Sequence, residues 1–294
     1  MKRFAPEGAL VFAAFLYGST FVIVQDALDD ITPFGYLVIR FATGVLALAP
    51  FAVLALRRMS PATRRLLWRA GAISGALLFV SYATQTVGLQ YTESSTSAFI
   101  TGLYVVFTPL LAASFLRRRP TSLVMMGVVL TTLGLGLMSL QISEGGVVTV
   151  NLGDMLILLC AVSYAGQIVA VSRWAPDMDA RVLTLQQFVV TFVIAGLLTT
   201  TEDVAMPSTN VVWIALGATV IGSSVYGIGV QVWAQQRISP TRAAVIYSME
   251  APFAALAGFL LADERFPARA WAGAALILTG MLIVEVRPGA RTEA

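Results

Sequence analysis

The stretch TRAAVIYSMEAPFAALAGFLLADE, Thr241 to Glu264, has the length and apolar character of a membrane span, yet it carries Glu250 near its middle and Pro252 two residues on. Nine residues past Thr241, Glu250 lies ~14 Å into the run, close to the midplane of a ~30 Å hydrocarbon core. A charge at that depth costs at least ~2.5 kcal/mol, so the carboxylate cannot face lipid. Helical spacing places Ala243, Tyr247, Glu250, Ala254 and Gly258 on one small-or-polar stripe. Ile246, Met249, Phe253, Leu256 and Leu260 form a separate apolar one. Pro252 lacks an N–H and frees a carbonyl near Ser248, which survives at midplane only where protein or cavity water satisfies it. Glu250 therefore points into the protein, either tying helices together or lining a path for a solute.

The rest of the chain has the same solvent. Its 294 residues are 57% apolar and 12% charged, against roughly 25% charged in a soluble protein. So much apolar surface requires the bilayer to cover it. The net charge of +3 does not indicate nucleic-acid binding, because the basic residues sit in short loops between apolar runs. With no histidine, Ser-His-Asp triads and HExxH zinc sites are excluded. The single Cys160 lies in ILLCAVSY and reads as a small packing residue. The basic, then apolar N-terminus lacks a cleavage site of small residues and reads as a retained first helix.

Ten segments are long enough to span: 7–25, 33–56, 70–90, 96–116, 122–141, 153–172, 181–200, 211–235, 241–261 and 269–286. The predicted fold is thus an all-α membrane protein with ten transmembrane helices. Short loops rich in breakers join them, such as ITPFG, MSPATRR, RRRPTS, SEGG and DERFPAR. With the N-terminus inside, sixteen basic residues fall in inner segments, and only Arg265 and Arg269 in outer loops. That asymmetry predicts a cytoplasmic N-terminus and C-terminus.

An offset of 146–147 residues aligns the two halves. LYGSTFVIV (16–24) meets SYAGQIVAV (163–171), GVVLTTLG (127–134) meets GAALILTG (273–280), and Gln90 meets Gln236. Pro109 falls within one turn of the counterpart of Pro252. Five spans per half is odd, so the second half enters the membrane upside down. The acidic QYTESS accordingly matches the basic QRISPTR, and the basic LRRRPT matches the acidic ADERFP. Two inverted five-helix repeats, 1–146 and 147–294, are expected, with a substrate site at midplane where they meet.

Arg40, in YLVIRFATG, lies seven residues into the second span, ~10 Å deep. It could snorkel to the outer headgroups, pair with Glu250, or hold a substrate anion. The two charges together would suit a zwitterion. Tyr17, Tyr82, Gln85, Tyr104, Tyr164, Gln167, Gln187, Tyr226, Gln231, Trp233 and Tyr247 also fall within predicted spans and suggest a cavity for a small amphipathic solute. Pro109 and Pro252 are the candidate helix breaks. Gly71 and Gly75 form a GxxxG, the mark of close helix packing.

The pattern resembles the drug/metabolite transporter superfamily, in its ten-helix branch of two EamA-type domains. LYGSTFVIV, VIRF (38–41), GLQYTESSTSAFITGLYVVFTPLL (88–111), GDMLILLCAVSYA (153–165), ISPTRAAVIYSMEAPFAALAGFLLADE (238–264) and GAALILTGMLI (273–283) carry the resemblance over nearly the whole chain. Two positions depart from it. Ala251 separates Glu250 from Pro252, where the family reads Glu-Pro, and Asp263 precedes Glu264, where it tends to read Gly-Glu. The resemblance implies efflux of small metabolites or drugs, such as amino acids, across a bacterial inner membrane. It also implies a central cavity ringed by helices one to four and six to nine. Glu250 and Arg40 match family positions.

The expectation is a secondary transporter working by alternating access, with a small-molecule substrate and membrane lipid as partners. No Walker A sequence, cofactor or metal-ligand set is present, and Glu250 is the candidate proton carrier. Flipping a lipid-linked substrate is the nearest rival, which a side opening between helices would favour. A membrane enzyme lacks the reactive cluster it needs, and a passive channel lacks a charged ring or filter.

Overall fold

The structure is a computed structural model that describes residues 5–117, 120–139, 151–202, 207, 209–261, 265 and 267–286. Among these residues there is no strand. The helices are α1 (Ala5–Ala27), α2 (Pro33–Arg57), α3 (Pro61–Gly88), α4 (Ser94–Gly102), α5 (Tyr104–Phe115), α6 (Ser122–Ser139), α7 (Leu152–Trp174) and α8 (Ala180–Leu198). After α9 (Asn210–Ala218) the chain winds as a π-helix over Thr219–Ile228 and returns to α-helix as α10 (Gly229–Gln235). Then come α11 (Pro240–Tyr247), α12 (Glu250–Leu261) and α13 (Ala268–Val286). Eight apolar runs, several of them joining consecutive helices, are long enough to cross a membrane; Ser122–Leu137 and Ala268–Val284 are apolar but shorter. The loops SEGG and most of ADERFP, and Lys2, Arg3, Arg118, Arg119, Arg287 and Arg291 of the charge asymmetry, lie outside the described residues.

Start signals in the sequence set the helix ends. Ser60 accepts the Thr63 N–H at 3.1 Å and Pro61 occupies the first turn, so α3 begins nine residues before the expected 70. Its first turns carry Arg64, Arg65 and Arg69, which composition alone assigned to a loop. Asn151 and Asp154 close a reciprocal capping box at α7. Ser239 caps α11 with Pro240 at its first position. The outer flanks are apolar: Phe115, Leu46 and Ile221 are 76%, 74% and 72% exposed. Water would not tolerate such a surface, whereas acyl chains match it.

The packing is paired. α6 lies along α13, α3 along α7, α2 along α8, and α1 packs on α12 and on the π segment. Glycines set the closest approach of α6 and α13. A Cβ built on Gly134 would stand 2.5 Å from the Gly273 carbonyl oxygen, and one on Gly280 would stand 2.8 Å from that of Gly127. Gly127 thus faces Gly280 while Gly134 faces Gly273, so the two helices run antiparallel. The GxxxG of α3 does what its motif implies, with Gly71 against Gln186 and Gly75 against Val190 of α8. Two helices break in their middles, α4/α5 at Leu103 and α11/α12 at Ser248–Met249. Leu103 and Met249 are separated by the same 146 residues that align the two halves.

Candidate functional site

The second break creates the site. Ser248 ends α11 with its N–H on Ala244 O and its hydroxyl on Val245 O, and α12 restarts at Glu250 with Pro252 in its first turn. Glu250 is 6% exposed and makes no ion pair among the described residues. α1 presses directly on it: a Cβ on Gly18 would stand 2.5 Å from the Glu250 carbonyl oxygen, so only glycine lets the two backbones meet there.

Arg40 approaches from α2. At 4% exposure it does not snorkel. Its Nε donates to Ser224 Oγ at 2.8 Å, and its guanidinium carbon stands 4.5 Å from the Tyr82 ring centroid and 5.7 Å from that of Phe41. No carboxylate lies within ion-pair distance of it among the described residues. Arg40 and Glu250 instead line one small cavity of about 20 Å³, together with Tyr17, Tyr82, Gln85 and Ser223. A second cavity of about 20 Å³ shares Tyr17, Tyr82, Gln85 and Glu250, and adds Ser81, Thr101, Cys160 and Tyr164. Each has room for a single water, so the described conformation is closed around the two charges.

Aromatic rings wall this centre. Tyr104 meets Tyr164 edge-on at 5.2 Å, Tyr17 meets Tyr247 at 5.8 Å, and Phe41 meets Tyr82 at 5.3 Å. The hydroxyls of Tyr17 and Tyr104 are buried and complete no hydrogen bond of normal geometry among the described residues. The Tyr104 hydroxyl faces the Glu250 carboxylate, and the Tyr17 hydroxyl faces that of Tyr82. Tyr247 donates to Gly227 O at 3.2 Å. Gln85 donates to Thr101 Oγ1 at 3.3 Å.

The π segment is the far wall. Its Thr219 bonds Tyr36, Ser223 bonds Thr20, Ser224 receives Arg40, and the Tyr17 ring packs on Gly227. Beyond it, a buried amide chain runs from Tyr164 to Gln231 Oε1 at 3.5 Å, from Gln231 Nε2 to Gln167 Oε1 at 2.7 Å, and from Gln167 Nε2 to Gln187 Oε1 at 2.8 Å. Gln167, Gln187 and Gln231 thus satisfy one another and do not line the cavities. Tyr226 and Trp233 lie on the opposite face of this helix, where Trp233 stacks under Arg237 at 4.8 Å. They do not belong with Glu250. Pro109 is buried in α5, six residues beyond the Leu103 break.

Thr20, Ser81, Thr101, Ser223 and Ser224 line or support the cavities, and sequence reasoning passed them over. Hydroxyls in membrane helices usually bond their own helix, and only two of the five, Ser223 and Ser224, are adjacent enough to draw attention. Cys160, read as packing, also borders the second cavity, 3.3 Å from Ser81 Oγ. A buried ion pair closes one end of the bundle: Arg242 Nη2 of α11 lies 3.2 Å from Glu7 Oε1 of α1, with both side chains 8% exposed. Among the described residues no group of three His, Cys, Asp or Glu could hold a metal ion.

Comparison with known proteins agrees with this architecture. A solved crystal structure aligns over 94% of this chain and 95% of its own with a TM-score of 0.72 at 18% identity, a likeness of fold alone. A protein of Archaeoglobus fulgidus named "Uncharacterized transporter" is 28% identical over 291 residues, 98% of this chain and 88% of its own length. The name of that relative points to transport and not to catalysis. Matches to one family cover residues 7–140 and again 151–286, one on each side of the junction that the internal offset marks. An all-helical chain of paired apolar halves, broken at equivalent places around a buried carboxylate, belongs to the EamA-like transporter family.

Proposed function

We propose that this multi-pass membrane transporter exports a small amphipathic solute, amino-acid-like or drug-like, across a bacterial inner membrane by alternating access. In this reading ten helices form two inverted five-helix repeats, 1–146 and 147–294, with both termini cytoplasmic. The antiparallel run of α6 and α13 supports the inversion, because the sequence offset makes these two helices counterparts. The matched breaks at Leu103 and Met249 support it too. Rocking of the halves would open the closed centre to each side in turn, with the Glu7–Arg242 pair parting on the cytoplasmic side.

One observation carries the proposal: Glu250 and Arg40 are both buried, face one cavity, and are not paired with each other. Two buried ionisable groups of opposite sign that face one cavity without an ion pair between them leave a ligand of matching charges a place to bind. A zwitterion would set its ammonium against Glu250 and its carboxylate against Arg40, with the tyrosines around its apolar part. Metabolite profiling of medium and cytoplasm tests this. A solute should accumulate outside cells expressing the wild type and not outside cells expressing Glu250→Gln. Equal export by the variant would overturn the assignment. Flux in vesicles with and without a pH gradient then decides coupling; gradient-independent flux removes Glu250 as the proton carrier.

A side opening does exist, which bears on the lipid-linked alternative. It lies on the outer face of the π segment and shares no lining residue with the two central cavities, so it is separate from Glu250 in this closed conformation.

A further inference from the structure

The side opening has a volume of about 600 Å³, and nothing in the transport reading uses it. It runs between α2, the start of α8 and the outer face of the π segment and α10. Its walls are apolar over most of their length, including Leu48, Ile221, Val225 and Val230. From Gln236 at one end to Ile221 is fifteen residues of helix, on the order of 20 Å, slightly more than one leaflet of hydrocarbon. Ile221 is exposed on this flank, so whatever fills the trench comes from the bilayer.

The polar end is different in kind. Asp179 and Arg181 border the trench and also a second cavity of about 310 Å³, which reaches Arg58 and Met59. Met59 in turn borders a third, of about 390 Å³, with Arg64, Arg65 and the exposed Trp68. The rim therefore holds four arginines and one aspartate, and Arg181 already engages that aspartate at 2.7 Å. Arg58 and Arg65 make no ion pair among the described residues. Arg64 Nη2 donates to Leu56 O at 3.3 Å, fixing the first turn of α3 against the end of α2, so the cationic rim is held in place. Trp68 is the kind of side chain that sits at headgroup level.

We propose that the trench and its rim form a binding site for an anionic phospholipid, with an acyl chain along the trench and the phosphate at Arg58 and Arg65. Charge selects the class: a net excess of three cations at the rim favours an anionic headgroup over a zwitterionic one. The absence of shared lining with the Glu250 cavity makes the lipid a resident and not a cargo. The proposal rests on the membrane reading, but not on which face is inward or what is exported.

The test is lipid retention by the purified full-length chain, stripped in neutral detergent and titrated with phosphatidylglycerol or phosphatidylcholine of identical chains. Native mass spectra should show a one-to-one adduct that survives with phosphatidylglycerol and not with phosphatidylcholine, and the melting temperature should rise only with the former. Arg58→Gln/Arg65→Gln should weaken retention roughly thirtyfold, about fivefold per lost cation. Val230→Trp, which fills the trench and leaves the rim, should lower retention as well. Equal retention of the two lipids, or an adduct untouched by both variants while each melts cooperatively, overturns the site. No step requires transport, so an inactive Glu250→Gln with normal lipid retention, or the reverse, separates this site from the transport proposal.

Discussion

Replacing Arg40 by methionine separates a solute-binding cation from a structural one. Methionine keeps the length and the apolar stem while removing the charge. The structure assigns Arg40 one charge-assisted hydrogen bond, to Ser224, worth about 1.5–3 kcal/mol. Stacking over Tyr82 at 4.5 Å in a dry site adds about 2 kcal/mol. Against these stands the cost of holding an arginine within the membrane, about 2.5–3.5 kcal/mol by insertion scales. The opposing effects nearly cancel, so Arg40→Met should change stability by no more than about 2 kcal/mol in either direction, or roughly 5 °C in melting temperature. Were Arg40 the structural counter-ion of Glu250, its removal would strand a buried carboxylate and cost about 3–5 kcal/mol. The assay pairs thermal unfolding in detergent with metabolite profiling of expressing cells. The expected result is an intact melting temperature with export abolished. A fall of more than about 10 °C, or undiminished export, refutes the reasoning.

Further expectations follow from the same geometry. Gly134→Val should sharply lower the melting temperature by driving α6 from α13, whereas Gly136→Ala, whose Cβ meets nothing within 4 Å, should leave it unchanged or raise it slightly, helix propensity adding up to about 1 kcal/mol of stability; equal effects would contradict the close packing. Glu7→Gln breaks a buried ion pair and should cost about 3–5 kcal/mol in thermal unfolding, while Glu7→Gln/Arg242→Gln should cost less than the sum of the single changes; strict additivity in the double-mutant cycle would rule out coupling. Asp179 caps α8 through the Arg181 N–H at 2.9 Å, so Asp179→Ala should destabilise by about 1 kcal/mol at neutral pH. The Arg181 guanidinium bonded to Asp179 holds that carboxyl below its usual pKa, so its contribution is present above the unfolded value near ~3.9 and is lost as pH falls through the folded value; a gap between wild type and variant that stays constant down to pH ~2 would contradict it.

The all-helical, membrane-spanning character of the chain and the burial of Glu250 were legible because each follows from a cost that hydrocarbon imposes residue by residue. The early start of α3 was legible in principle, through Ser60 and Pro61, but charge in the first turns masked it: Arg64, Arg65 and Arg69 extend a helix beyond the membrane without ending it. The buried face of the run from α9 through the π segment to α10 was not legible at all. Thr219, Ser223, Gly227, Gln231 and Gln235 are all buried, a period of four. At 3.6 residues per turn that series drifts by about 160° over its length, enough to turn its end out of the protein. The π winding of Thr219–Ile228 absorbs much of that drift, keeping the series inward and leaving Tyr226 and Trp233 outside. An α-helical period could not foresee it, because nothing local in TVIGSSVYGI announces the wider turn.

That winding also connects the two halves of the mechanism. A π-helix is a strained form that persists only where its surroundings reward it, and it tends to occur at functional sites. Here the reward comes from contacts made by one segment to two first-half helices: hydrogen bonds to Thr20 on α1 and to Tyr36 and Arg40 on α2, and the Tyr17 ring of α1 packed on Gly227. Moving the halves apart must break these contacts together, because they are borne on one continuous turn. The segment that holds Arg40 in the closed centre is therefore the element whose rewinding would release it, and a solute anion that takes over the guanidinium would weaken the hold of Ser224 at the moment the centre must open.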